Sequence, residues 1–385
     1  MSTKTKSASR ITSGSEDRRG FITGCSILTP LRRIEGKGIL FRNGRITGFT
    51  DSSKPPEGAL NLSFDDCTAV PGFIDIHMHG ALGINFLEGT ADSICKALAA
   101  HLRNGTTSCL PTLMTAPAAT IERAVTGLVE AGSAEPAIPE ILGINLEGPY
   151  ISPDRRGVHD RDSIRALTAE EMESLINLAQ GKIRIVTVAP EAEGALPFIH
   201  FLKERGIDVS AGHTNASYDE MMSAVNAGVR LATHLFNAMR GIMQREPGAL
   251  GALLLSDDTY SELIADGEHV HPALFRLITR VKGPEKMILI TDASPEYGLK
   301  EGASRTKTGT LVGGTLPLPG ELKALMRHSD LDLKSALRTM TLNPAKFLGL
   351  EHRIGVLKKG ADADIVILSR DLDVKAVFSK GRRVV

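Results

Sequence analysis

Pro71-Gly-Phe-Ile-Asp-Ile-His-Met-His-Gly80 is an apolar run that closes on two histidines one residue apart. In an extended strand, residues i and i+2 point to the same face, so His77 and His79 converge on one point. Two neutral imidazoles at the end of a strand supply half of a site for zinc, iron or a similar ion. Two histidines in a loop would spell the same letters. The fold is therefore decided by whether other segments of the chain end in the same way.

They do. Working outward, eight short apolar segments are predicted as strands: 73–77, 107–110, 140–146, 183–188, 207–211, 229–232, 262–265 and 287–290. Amphipathic stretches with helix signals separate them. Ser217 with Glu220, and Thr168 with Glu171, fit the capping box, in which a hydroxyl and a carboxylate reciprocally satisfy free backbone N–H groups. Gly105, Gly181 and Gly228 stand where helices would stop. Ile94, Leu98 and Leu102 form a buried stripe at i, i+4, i+8 spacing. Strand and helix alternate over residues 71–347, a length that suits a (β/α)8 barrel of the α/β class.

In such a barrel the C-terminal ends of the strands face one mouth. The first predicted strand ends in His77 and His79, the third in Glu147, the fifth in His213, the sixth in His234 and the eighth in Asp292. A lone histidine is more often a satisfied structural residue, and a lone strand-end carboxylate more often a helix cap. Six such residues at equivalent places are not well explained that way. His101, His200, His271, His328 and His352 fall in helical or loop contexts and are read as structural. Glu191 follows the fourth strand and either lines the mouth or opens a helix. The chemistry implied is metal-assisted hydrolysis. Imidazole and carboxylate groups hold an ion and leave room for a water, whose pKa falls from 15.7 to ~7. Glu147, with two oxygens, could bridge two ions, His213 and His234 completing one site and His77, His79 and Asp292 the other. Asp292 could also pass a proton from water to a leaving amine.

The flanks read differently. Residues 1–20 are polar and basic without apolar period, as in a disordered tail. Strands are predicted over 21–28, 37–42 and 45–49, with Asn43-Gly44 as a hairpin turn, and again over 374–379 and 382–385. Strands on both sides of a barrel suggest that residues 21–70 and 348–385 build one small β-sandwich domain around the 71–347 barrel.

Composition narrows the function. The 385 residues carry 45 Lys+Arg against 45 Asp+Glu, so no overall pull toward nucleic acid or an anionic membrane is expected. Any phosphate must be held by local groups. Cys25, Cys67, Cys95 and Cys109 show no C-x-x-C pairing, which suits a reducing compartment. The first twenty residues have no apolar signal core, and no run approaches the ~20 apolar residues of a membrane span. A cytoplasmic location is expected.

Further motifs are Leu146-Glu-Gly-Pro149, Gly157-Val-His159, Ala189-Pro-Glu191, Gly212-His213, Thr233-His-Leu-Phe-Asn-Ala-Met239, Arg245-Glu-Pro-Gly248, Ala265-Asp-Gly-Glu-His-Val270 and Thr291-Asp-Ala293. With the opening stretch, they resemble the amidohydrolase superfamily and, within it, the N-acetylglucosamine-6-phosphate deacetylases, over residues 37–385. The resemblance implies deacetylation of N-acetylglucosamine 6-phosphate to glucosamine 6-phosphate and acetate, in amino-sugar metabolism. It implies Glu147, His213 and His234 as ligands of a principal divalent metal, zinc or iron, and Asp292 as acid/base. Some members lack the first-strand His-x-His and use one ion. This chain keeps His77 and His79, so one or two ions are allowed. His159, which could stabilise an oxyanion, and His269 would contact the sugar or the scissile carbonyl. Asn237, Ala238 and Arg245 would bind phosphate, Arg245 in a neighbouring subunit's site, so a homodimer is implied. Two stretches depart from the family wording: Ser294-Pro-Glu-Tyr-Gly298, and Gly313-Gly-Thr-Leu-Pro-Leu-Pro-Gly320 with its two prolines. The alternatives are a deacetylase for the galactosamine epimer, a cyclic amidase of the dihydroorotase type, which needs a fourth-strand lysine absent from 183–191, and a non-catalytic scaffold.

Overall fold

The computed structural model describes residues 19–133, 137–166 and 168–385. Eight parallel strands form the barrel, and we number them β1 (Phe73–Met78), β2 (Thr106–Met114), β3 (Ile144–Glu147), β4 (Ile183–Val188), β5 (Asp208–Ala211), β6 (Val229–Ala232), β7 (Tyr260–Leu263) and β8 (Met287–Leu289). Continuous ladders join each strand to the next from β1 to β8. The last seam, β8 to β1, is made differently. At the mouth Asp292 N–H donates to His77 O (3.0 Å), and His79 and Gly80 N–H both donate to Ala293 O (2.8 and 3.2 Å). Lower down, residues 339–340 sit between the two strands. Ile74 N–H donates to Met340 O (2.9 Å) and Leu289 N–H to Thr339 O (3.0 Å).

Local chemistry explains where the strands depart from expectation. Strand β2 runs to Met114 although Pro111 has no N–H, because the ladder with β1 shifts register between Cys109 and Pro111 and absorbs the missing donor. The predicted 140–146 strand is two, Glu140–Ile141 and β3. Between them Gly143 crosses β4 so closely that a Cβ would lie 2.1 Å from Arg184 Cγ. Ser217 and Glu220 do form a reciprocal capping box. Thr168 accepts the Glu171 N–H (3.2 Å), but the Glu171 carboxylate turns instead to Arg165 (Nε, 3.1 Å). Gly105, Gly181 and Gly228 follow helices with φ of 96°, 72° and 141°, and the Ile94, Leu98 and Leu102 stripe is fully buried.

Beside the barrel two β-sheets stack. One carries, in order, Arg382–Arg383, Val374–Ser379, Ile365–Leu368, Thr68–Pro71, Ser26–Leu28 and Arg33–Ile34. The other carries Arg45–Asp51, Lys37–Arg42, Arg19–Thr23 and Leu60–Ser63. Ile22, Ile27, Ile39, Phe41, Ile365 and Phe378 belong to one buried apolar cluster shared by the two sheets. Segments from before and after the barrel meet in the larger sheet, since Ile365–Leu368 pairs with Thr68–Pro71. The predicted 21–28 strand is divided at Gly24 (φ 75°), and its halves lie in different sheets. Arg19 and Gly20, expected in the tail, pair with Arg42 and Phe41. The remainder of that tail, residues 1–18, lies outside the described residues.

Candidate active site

Three of the six mouth residues stand just past their strands with left-handed backbone: His213 (φ 45°), His234 (φ 28°) and Asp292 (φ 45°). This conformation is costly for a side-chain-bearing residue and concentrates at functional sites. Here it follows strands β5, β6 and β8, with His213 and His234 entering one buried group and Asp292 a neighbouring one.

The side chains fall into two groups. In the first, Glu147 Oε1 lies 3.0 Å from His213 Nε2 and 2.8 Å from His234 Nε2, and the two nitrogens are 3.1 Å apart. In the second, His79 Nε2 lies 3.2 Å from His77 Nε2 and 3.1 Å from Asp292 Oδ1. The groups touch through Glu147, whose Oε1 is 3.5 Å from His77 Nε2 and whose Oε2 is 3.4 Å from His79 Nε2. Each triad has its ligand atoms within 4.8 Å of one another.

The outer ring nitrogens show what these clusters are for. His79 Nδ1–H donates to Thr112 O (3.2 Å) and His213 Nδ1–H to Arg155 O (2.9 Å); a carbonyl can only accept, so both protons must be on Nδ1. His77 Nδ1 faces Glu262 Oε2 at 3.0 Å in the same manner. A ring with its single proton on Nδ1 aims the Nε2 lone pair inward, and two such nitrogens, 3.2 Å apart in His77 and His79, cannot hydrogen-bond to each other. The arrangement fits a cation between the rings, each held by an outer partner. The acidic surround favours positive charge at this point, whether a proton or an ion supplies it. Burial opposes protonation of His77, yet Glu262 and Glu147 lift its pKa well above the ordinary value. Burial likewise disfavours ionised Glu147 and Asp292, but the surrounding imidazoles hold both pKa values low.

His159 joins the cluster, with Nε2 3.4 Å from Glu147 Oε2 and its ring centroid 4.4 Å from that of His213. Its Nδ1 accepts the Thr115 N–H (3.3 Å), so the inward Nε2 carries the proton. Burial and the neighbouring His213 push its pKa down to about 4, which leaves a neutral donor at neutral pH. His269 is held by Asp266 Oδ2 at 2.7 Å; burial opposes its charge, but Asp266 raises its pKa. Asn237 Nδ2 donates to His234 O (3.2 Å), and Ala238 has φ 50°, in the turn after His234. Arg245 is not brought to the cluster. It is exposed and makes no ion pair or hydrogen bond among the described residues.

Glu191 neither lines the mouth nor opens a helix. It accepts the Thr214 hydroxyl (2.5 Å) and Asn215 N–H (2.6 Å), bracing the loop after His213. His101 is a core residue that donates to Gly80 O (3.1 Å) and stacks on Tyr297. Burial drives its pKa down to about 4. Glu262 was missed by reading strand ends, because it sits within β7. It is fully buried, and Oε2 holds both His77 Nδ1 and His234 N–H at 3.0 Å. A carboxylate just before the apolar run Leu263-Ile-Ala265 was the available signal. The two unexpected prolines, Pro317 and Pro319, flank the start of helix Leu318–His328, where missing N–H groups are tolerated. Strand β4 supplies no lysine.

Residues 68–384 match the amidohydrolase family. The chain is 35% identical to the N-acetylglucosamine-6-phosphate deacetylase of Vibrio furnissii, over 82% of each protein. It is 34% identical to an N-acetylgalactosamine-6-phosphate deacetylase of Escherichia coli O157:H7, over 81% of this chain and 86% of that one. A mutant N-acetylglucosamine-6-phosphate deacetylase from Mycobacterium smegmatis, solved with N-acetylglucosamine 6-phosphate, superposes with a TM-score of 0.88 at 35% identity, covering 96% of this chain and 100% of the other.

Proposed function

The chain belongs to the amidohydrolase family and is a hydrolase of amide bonds, and we propose that it deacetylates N-acetylglucosamine 6-phosphate, releasing acetate and glucosamine 6-phosphate in amino-sugar metabolism. The observation that carries this reading is the pair of three-ligand groups sharing Glu147 at one barrel mouth.

In this reading Glu147, His213 and His234 would hold one divalent ion, and His77, His79 and Asp292 would hold a second where two are bound; zinc or iron suits the mixed imidazole and carboxylate set. Such an ion supplies Lewis acidity toward the acetyl carbonyl and lowers the pKa of water. The protein's own groups do the rest. Asp292, kept ionised, accepts a proton from the attacking water and returns it to the departing nitrogen. His159 donates its Nε2–H to the acetyl oxygen as negative charge develops there. His269, its pKa raised by its pairing with Asp266, contacts the sugar. Asn237 and Ala238 bind the phosphate with Arg245, whose planar fork matches it. The exposure of Arg245 suits a reach into a second subunit, hence a homodimer. Residues 21–70 with 348–385 act as the supporting β-domain of the 71–347 barrel, in a cytoplasmic enzyme.

The Escherichia coli relative favours a second reading, in which the galactosamine epimer is the substrate. Acetate release by metal-reconstituted protein distinguishes them, with both epimers and the unphosphorylated sugar tested side by side. Turnover of the gluco epimer alone supports the proposal. Preference for the epimer replaces it, and no release despite bound metal sinks the substrate assignment. Stoichiometric metal in the purified protein argues against a silent scaffold.

A further inference from the structure

Glu321 is fully buried in the first turns of helix Leu318–His328, among the buried side chains Leu318, Leu322 and Leu325. A leucine would suit that setting. Instead the carboxyl Oε2 accepts the N–H of Ala265, while Oε1 has no partner among the described residues. Ala265 lies where β7 has run out of ladder. The last paired residues are Leu263 and Leu289, and Ile290 N–H then donates back to Leu263 O (3.2 Å). Glu321 thus takes the place of a strand edge.

The next residue is Asp266. Its Oδ1 accepts the N–H groups of Glu268 and His269 (both 2.9 Å), and Oδ2 holds His269 Nδ1 at 2.7 Å. A line of contacts therefore runs from Glu321 through the Ala265–Asp266 backbone to the His269 imidazole. Burial, and then the charges of Asp266, Asp75 and Asp292, push the Glu321 pKa well above the carboxylate range. That direction favours the neutral acid, in which Oε2 accepts as a carbonyl. An ionised carboxylate there would add a further negative charge to that acidic surround.

We propose that Glu321 is a positioning residue for substrate binding: by capturing the Ala265 N–H it anchors the Asp266–His269 arm and so places the His269 ring. This rests on the assignment of His269 as a sugar contact. The geometry separates shape from charge, because glutamine offers the same carbonyl acceptor and leucine only fills the volume.

The test uses the metal-loaded full chain. Glu321→Gln is expected to keep kcat and KM within about twofold, whereas Glu321→Leu raises KM about tenfold with kcat and metal content little changed. In a His269→Gln background, Glu321→Leu adds no further rise, because both changes remove one interaction. An activity-free readout accompanies these: the His269 ring signal in proton–carbon NMR, assigned by its loss in His269→Gln. Its titration midpoint falls in Glu321→Leu and stays in Glu321→Gln. A wild-type KM in Glu321→Leu, a glutamine variant as impaired as leucine, multiplying effects, or an unmoved ring signal would each overturn the proposal. Should the wild type hydrolyse none of the sugar phosphates, the substrate reading fails while the ring signal still judges Glu321.

Discussion

Asp292 is asked to do two things at one place, and its position accounts for both. Its Oδ1 lies 3.1 Å from His79 Nε2, and its backbone N–H closes the barrel seam on His77 O. Replacing it by asparagine keeps the shape and removes the proton acceptor, so Asp292→Asn is expected to lower turnover by about 100-fold or more. Acetate release with metal content measured on the same sample checks this; near-normal turnover would show that another group carries the proton. Glu262 acts one step back, since its carboxylate holds His77 Nδ1 at 3.0 Å. Glu262→Gln should weaken the ion at His77, His79 and Asp292 by about 10–100-fold, read by competition with a chromophoric chelator. Unchanged affinity would reduce Glu262 to a space-filling role.

Among the elements, helix Tyr218–Ala227 links the strand before His213 to the strand before His234, and its start is closed by the Ser217–Glu220 box. Ser217→Ala should cost about 1 kcal/mol in urea unfolding and leave kcat unchanged. A loss of activity without loss of stability would contradict that. This level also shows what the sequence could reveal. His77 and His79 announce a strand end by two-residue spacing, and His213, His234, Glu147 and Asp292 announce themselves by closing apolar runs, so the six side chains that the fold clusters were legible. Glu262 was not, because mid-strand position in β7 hides which face it takes until the barrel exists. The break at Gly143 comes from a close approach to Arg184, a residue 41 positions away, and no local pattern carries it. Leu60–Ser63 escaped for the opposite reason: it is an outlying strand with no fully buried residue, held by its pairing to Arg19–Thr23.

For the whole molecule, inward-facing nitrogen lone pairs make bound metal a contributor to stability. Chelation should lower the thermal midpoint and added zinc restore it, an ion at 100 times its Kd contributing about 2.7 kcal/mol. A midpoint indifferent to chelator would mean that the clusters are rigid without a cation. The β-sheets supply a second global signal. Asp364 is buried beside strand Ile365–Leu368, and burial, with Asp362 and Glu140 acting the same way, pushes its pKa up to about 7. The unfolded carboxyl releases its proton first. Stability from this group is therefore full below about pH 4, falls as pH rises toward about 7, and is flat above. Asp364→Asn, which can still accept the Lys380 N–H, should make the measured slope in that window shallower than in wild type. An unaltered slope would assign it to other groups. The seam between β8 and β1 has a consequence for how the chain is made. Emerging from the ribosome, His77 and His79 come early, but the lower half of their strand gains its second neighbour only when Thr339 and Met340 arrive. The strand before it, Thr68–Pro71, must wait longer still for Ile365–Leu368. The earliest-made residues of the cluster thus belong to a strand whose lower contacts are among the last completed, and a nascent chain halted before residue 339 would carry all six clustered side chains and the mouth contacts of the seam without its lower half.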